Sequence, residues 1–196
     1  MLLKSHLEAT VRSLTTFPEL VVSLSLYAIA IFFAYFFLSG FIWGAGFQPT
    51  PKKDIELAAK LLKLQEGMTV YDLGSGTGSV VILLAKKYKV RCVGIEIDPL
   101  KSFLSRLRIA RHRDLKERIE IQRKNFFKAD FTKADFVYLF LSGGTLVMGK
   151  LAQKLVLELK PGTKIASYVH VFKGVEPDIE EGHVKIYSVE SLRSSF

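Results

Sequence analysis

Asp72-Leu73-Gly74-Ser75-Gly76-Thr77-Gly78 and Glu96 are the residues whose types and spacing could do chemistry in this chain. The three glycines alternate with small polar residues directly after the apolar run that begins at Val70. Glu96 closes a second apolar run 24 positions after Asp72. A strand entering a glycine turn, a helix after it and an acid ending the next strand is how a βαβ unit cradles a nucleoside-bearing cofactor. The spacing narrows the choice. In the dinucleotide fingerprint G-x-G-x-x-G a third small residue packs helix on strand. Here Ser79 holds that position and Gly78 comes one residue early. No Gly-Lys-Ser/Thr follows, which excludes a P-loop. Asp72, two residues before the first glycine, would gain a phosphate-binding turn nothing. It suits a cofactor with a positive amino group and no phosphate.

The Asp72–Gly78 run resembles motif I of the class I S-adenosylmethionine-dependent methyltransferases. The resemblance implies a Rossmann-like, doubly wound, mainly parallel α/β sheet with S-adenosyl-L-methionine as cofactor. Gly74, Ser75, Gly76 and Gly78 would pack under its methionine and ribose parts. Glu96 would take the two ribose hydroxyls. Asn125 follows the third strand, where the family bonds the adenine amino group, and Phe126 matches the apolar neighbour on the ring. A loop asparagine beside core aromatics is the competing reading of that pair.

Strands and helices alternate as such a sheet requires. The patterns predict a helix opened by Thr50-Pro51 and ended by Glu66-Gly67, a strand over 69–73 and a helix over 78–88. A strand follows over 90–97, then a helix from Asp98-Pro99 to about 111, and strands over 118–122 and 134–141. A helix over 145–159, a strand over 164–171 and one last strand over 184–189 complete the walk. Only one clear strand is legible after position 171, so a second antiparallel strand, usual in the family, is left open.

Methyl transfer from a sulfonium is an in-line displacement that the protein mainly aligns, and few catalytic residues stand out. Tyr138 and His170 are candidates by position, with a structural role the favoured reading of His170. The loop Leu139-Phe140-Leu141-Ser142-Gly143-Gly144 has no Asn/Asp-Pro-Pro-aromatic motif, which argues against adenine and glutamine-amide acceptors. The spacing of His and Cys predicts no metal. Cys92, the only cysteine, excludes an intrachain disulfide and reads as a core residue.

A closer resemblance covers 47–170: Phe47-Gln-Pro-Thr50, Tyr71-Asp-Leu-Gly-Ser-Gly, Gly94-Ile-Glu96, Ser105-Arg-Leu-Arg108, Asp135-Phe-Val-Tyr-Leu139, Leu159-Lys-Pro-Gly162 and Ala166-Ser-Tyr168. Together they look like the small archaeal-type protein-lysine methyltransferases. Their mitochondrial relatives carry a hydrophobic segment before the domain. The resemblance implies a lysine side chain of a protein as substrate and places Thr50 near the methionine end of the cofactor. A methyltransferase of small molecules or lipids is the runner-up, and a membrane-attached cofactor-binding scaffold the non-enzymatic alternative.

The chain divides into a lead-in over 1–19, an apolar segment over 20–43 and a cofactor-binding domain over 44–196. Between Glu19 and Lys52 there is no charged residue. A helix of about 20 apolar residues spans a bilayer, so 20–43 reads as a transmembrane helix. A buried or oligomer-forming helix is the alternative, and the stretch is too long for a signal-peptide core. Leu3, Leu7, Val11 and Leu14 mark one helical face, which Pro18 is expected to stop. Residues 1–19 carry no net charge, so the whole +9 lies beyond the apolar segment. That bias turns the domain to the cytoplasm, or places the protein in the mitochondrial inner membrane if the source is eukaryotic. The stretch 101–128 holds ten Lys or Arg against Asp114, Glu117 and Glu120, a net of +7. A solvated face, contact with anionic lipid and RNA binding compete for it. RNA ranks last because aromatic stacking platforms are scarce.

Overall fold

The computed structural model describes residues 2–43, 50–141 and 145–195, and the chain falls into two units, Met1–Ile42 and Trp43–Phe196. The first is a single helix, α1 (Leu2–Trp43), with Pro18 inside it. Pro18 therefore does not stop the helix as expected. It removes one N–H, and the residues after it supply no turn former to divert the chain. Within α1, Phe17–Ser39 is long and apolar enough to cross a membrane by length and composition. Its apolar side chains, Phe17, Leu20, Tyr27 and Phe33 among them, stand exposed. Ser25 and Ser39 turn their hydroxyls onto the helix's own carbonyls, at 2.7 Å from Val21 and 3.0 Å from Phe36. That spends polar groups an apolar medium would otherwise leave unbonded.

The second unit is a seven-stranded sheet in the order β3-β2-β1-β4-β5-β7-β6. The elements run α2 (Lys52–Leu62), β1 (Thr69–Leu73), α3 (Ser79–Tyr88), β2 (Arg91–Glu96), α4 (Pro99–Ala110), β3 (Ile119–Arg123), β4 (Phe136–Leu139), α5 (Thr145–Glu158), β5 (Lys164–Tyr168), β6 (Ile179–Glu181), β7 (Val184–Ser188) and α6 (Val189–Arg193). β1 to β5 are parallel, and β7 turns antiparallel on β5. Both faces are covered, as a parallel sheet demands. Val70, Cys92, Tyr138 and Ala166 pack with Ile55 of α2, Val81 of α3 and Ile109 of α4. Tyr71, Val93, Val137 and Ile165 pack with Leu151 and Leu155 of α5 and Leu192 of α6.

Three differences from the sequence-based expectations bear on the site. β5 ends at Tyr168 rather than 171, because Val169 has φ +68° and the His170 N–H turns back to the Tyr168 carbonyl at 2.8 Å. That is a γ-turn in its strained, positive-φ form, at a β-branched residue. The open seventh strand is present as β6, three exposed residues paired with β7 through Glu180↔Lys185. A strand with no apolar alternation thus exists through its backbone ladder to β7, and the Lys185 ammonium, 2.7 Å from the Glu180 carboxylate, adds a charge pair across the hairpin. The final strand stops at Ser188, whose hydroxyl accepts from the Ser191 N–H at 3.2 Å and opens α6.

Candidate active site

β1 lies between β2 and β4, so its carboxyl end opens where the strand order reverses, the place such sheets bind ligands. The turn after it is anchored by its own amides. Gly74 and Ser75 N–H both donate to the Ile95 carbonyl, at 2.9 and 3.0 Å, and Gly78 N–H donates to the Ser75 carbonyl at 2.8 Å. Gly74, Gly76 and Gly78 all take positive φ, at +81°, +55° and +79°. At Gly78 there is also no room: a Cβ would stand 2.4 Å from Ser105 Oγ of α4. The next α4 turn clamps the same place from outside. Arg108 Nη1 donates to the Thr77 carbonyl and hydroxyl at 2.8 and 3.0 Å and to Ser79 Oγ at 3.2 Å.

Two carboxylates face this turn. Glu96, 7% exposed at the end of β2, accepts from Gly76 N–H at 2.7 Å and from Asp98 N–H at 2.8 Å. Burial raises its pKa, and those two N–H groups and the Lys101 charge pull it back. Asp72 is 3% exposed, and its Oδ2 carries no hydrogen bond. Burial, then the Glu96 charge, push its pKa up to about 8. A buried carboxylate without a partner is costly, and a cationic amino group placed there would relieve it. Below Glu96, Asp98 caps α4 by accepting from Leu100 and Lys101 N–H at 2.9 and 3.1 Å, and its Oδ2 lies 3.5 Å from the buried Lys101 ammonium. An acid with an orphaned oxygen, a second buried carboxylate with acceptor capacity left, and a turn whose three glycines carry no Cβ fit the methionine and ribose parts of S-adenosylmethionine.

The other sequence candidates divide. Tyr138 pairs with Asp72 in the β1–β4 register, so both side chains leave the same sheet face. Its hydroxyl is buried and raised in pKa, chiefly by desolvation. Thr50 lowers it, and the charges of Asp72 and Asp54 and the nearby Tyr168 raise it further. Thr50 thus reaches the Tyr138 hydroxyl, though without a hydrogen bond of standard geometry. Asn125 Oδ1 accepts from Phe127 N–H at 2.9 Å and caps the 3-10 turn Phe126–Lys128. Phe126 leans on Phe127 with ring centroids 4.6 Å apart. His170 is bound through its backbone, its carbonyl accepting from Ser167 Oγ at 2.7 Å, and its ring stands 6.1 Å from that of Phe140. Ser142-Gly143-Gly144 and Phe47-Gln-Pro lie outside the described residues. In the 101–128 stretch, Lys101 is buried, and Arg106, Arg108 and Arg118 donate to the carbonyls of Ile121, Thr77 and Lys89.

Sequence reasoning did not find Asp54 of α2. It is 7% exposed and accepts from the Tyr168 hydroxyl at 3.1 Å across 114 positions. A lone acid in the basic opening of an amphipathic helix carries no signal by itself. Arg108 was legible only as part of a resemblance. Its place three residues after Ser105, hence on the same helical face, is what lets both reach the turn.

A family model described as the ANTKMT methyltransferase domain matches residues 72–179. A protein-lysine N-methyltransferase of Saccharolobus islandicus (strain REY15A) is 33% identical over 141 residues, which is 69% of this chain and 86% of the relative. A Mus musculus lysine N-methyltransferase of an ATP synthase subunit is 32% identical over 139 residues, and the match covers 69% of this chain and 53% of that relative. A solved RNA methyltransferase of Salinibacter ruber, in complex with S-adenosyl-L-homocysteine, superposes with TM-score 0.68 at 32% identity over 72% of this chain and 94% of that one. The family model begins on the unpartnered Asp72 and runs through the turn and Glu96 to β6, so the chain belongs to the ANTKMT methyltransferase domain family and is an S-adenosylmethionine-dependent methyltransferase.

Proposed function

We propose that the chain methylates lysine side chains of a protein. The observation that carries this reading is the match to the archaeal protein-lysine N-methyltransferase over 86% of that relative's length. When bound, the cofactor would offer a methyl on sulfonium to a neutral amine nitrogen, the C–S electron pair staying on sulfur and the ammonium's proton having gone to solvent. Asp72 holds the cofactor's amino group, with Thr50 beside it. Gly74, Ser75, Gly76 and Gly78 lie under the methionine and ribose, and Glu96 receives the ribose hydroxyls. Asn125 and Phe126 meet the adenine. Asn125 Oδ1 already serves Phe127 N–H, so its second lone pair is the one that accepts from the adenine amino group. Tyr138, with its hydroxyl held protonated by burial, closes the methionine end rather than acting as a base. His170 keeps a structural role.

Residues 20–43 anchor this domain, 44–196, in a membrane, with the domain on the cytoplasmic side, or in the mitochondrial inner membrane of a eukaryotic source. The exposed Arg111, Arg113, Lys116, Arg123, Lys124 and Lys128 remain for anionic headgroups.

The test is incubation with methyl-labelled cofactor and a membrane-plus-cytosol extract. Label that protease destroys and that hydrolysis returns as methyllysine supports the reading; label only in the organic phase would sink it. A second reading, RNA as acceptor, rests on the likeness to the Salinibacter RNA methyltransferase. It requires label lost to ribonuclease. A reporter fused after Phe196 and active only outside the cytoplasm would overturn the orientation.

A further inference from the structure

α2 buries one acid. Asp54 stands in its first turn, beside the core contacts of Ile55 and Ala58, and the helix start favours its negative charge. One oxygen accepts from the Tyr168 hydroxyl at 3.1 Å. The carboxylate in turn raises the Tyr168 pKa, after the effect of burial, and so keeps that hydroxyl a donor. A single phenol satisfies only part of a carboxylate's acceptor capacity. Asp54 therefore keeps lone pairs for a further donor.

The tyrosine that reaches it sits among rings. Tyr168 meets Phe140 edge to face, with centroids 4.7 Å apart at 87°, and lies 5.9 Å from the His183 ring. Phe140 lies 6.1 Å from His170. These rings stand at the carboxyl ends of β4 and β5 and at the hairpin before β7, one strand over from Asp72 and its neighbour Tyr138. The Asp54 charge also reaches the Tyr138 hydroxyl, as does that of Asp72. An acid with a spare acceptor, reached by a tyrosine that itself sits among rings and close enough to the Tyr138 hydroxyl for its charge to act there, has the chemistry that recognises an organic ammonium.

We propose that Asp54, oriented by Tyr168, is the acceptor-side anion of the active site: it binds the protonated amine of the target, which gives one proton to solvent before its freed lone pair takes the methyl. The inference rests on the amine-acceptor reading above and adds the residue that selects for it.

The experiment uses the full chain in detergent, poly-L-lysine as acceptor and n-butylammonium as competitor. Asp54→Asn keeps shape and removes charge. The expected result is an acceptor KM raised about tenfold or more, with the dissociation constant of S-adenosyl-L-homocysteine within about twofold of wild type. Asp54→Glu should recover part of the loss. Butylammonium should inhibit wild type and lose its effect on the variant, while n-butanol inhibits neither. Tyr168→Phe, which leaves the charge but frees it, should raise KM by about threefold and serves if Asp54→Asn fails to fold. If wild type labels poly-L-lysine and both variants keep its KM and its inhibition by butylammonium, the assignment of Asp54 falls and the amine reading stands. If wild type leaves poly-L-lysine unlabelled and labels RNA or lipid instead, the amine reading falls and takes this inference with it.

Discussion

The two halves of the proposed site are built on different plans. The cofactor half, at the ends of β1 and β2, draws nearly all its polar groups from Asp72 to Arg108, and its key contacts are backbone amides on carboxylate and carbonyl oxygens: Gly76 and Asp98 N–H on Glu96, Gly74 and Ser75 N–H on Ile95. The proposed acceptor half, at the ends of β4 and β5, joins side chains from four distant places, Asp54, Phe140, Tyr168 and His183, through one hydrogen bond and ring edges. Amide-built sites tolerate little variation, because moving one atom of the turn moves the backbone. A side-chain-built site can change its residues while the sheet stays as it is. This is the physical reason one fold keeps a cofactor and changes its acceptor.

If that contrast holds, damage should separate by half. The largest effect belongs to Glu96→Ala. It removes the ribose acceptor and leaves Gly76 and Asp98 N–H without their partner, so affinity for S-adenosyl-L-homocysteine should fall about 100-fold or more by calorimetry. Unchanged affinity would refute the ribose assignment.

Next comes a pH effect at Asp72. Its folded pKa, about 8, lies above the ordinary 3.8, so the ligand-free fold binds more protons than the unfolded chain and loses stability as pH rises from about 4 to 8. Glu96, also raised, adds the same sign. A cationic amino group needs Asp72 ionised, so cofactor affinity should rise toward pH 8, by up to about tenfold per unit. Asp72→Asn should flatten both slopes and raise the ligand-free Tm at pH 8. A Tm that stays level from pH 5 to 8 in wild type would count against this.

A smaller loss is expected from Arg108→Ala, which frees the outer side of the turn without touching the cofactor. Affinity should weaken by about three- to tenfold, with acceptor KM unmoved. A change in acceptor KM instead would blur the two halves.

The smallest effect should come from Val169→Gly. It relieves a β-branched residue at φ +68° and costs some unfolded-chain entropy, for a net gain of up to about 1 kcal/mol. The turn it loosens aims the acceptor half, so acceptor KM should rise while cofactor affinity stays level. A gain in stability with no kinetic change would show that the strain serves no function.

The legibility of the sequence follows the same division. Asp72, the glycines and Glu96 could be read because strand, turn, helix and strand are consecutive, and a parallel sheet follows from their alternation, whereas its strand order comes from the structure. β6 could not be read, since Ile179-Glu180-Glu181 has no apolar period and exists by pairing with Lys185. The early end of β5 was hidden because nothing in Tyr168-Val169-His170 announces a positive φ. At Pro18 the local stop signal is overridden by the long apolar helical run beyond it.

The sequence alone was enough for the fold class and the cofactor, because those rest on short-range spacing and on backbone conformations that only glycine adopts cheaply. The tertiary structure alone decided that Asp54 meets Tyr168 across 114 positions, that Ser105 fills the space a side chain at Gly78 would need, and that Asp72 is left with an orphaned oxygen. Those depend on which helix packs over which strand, and no local pattern encodes such contacts.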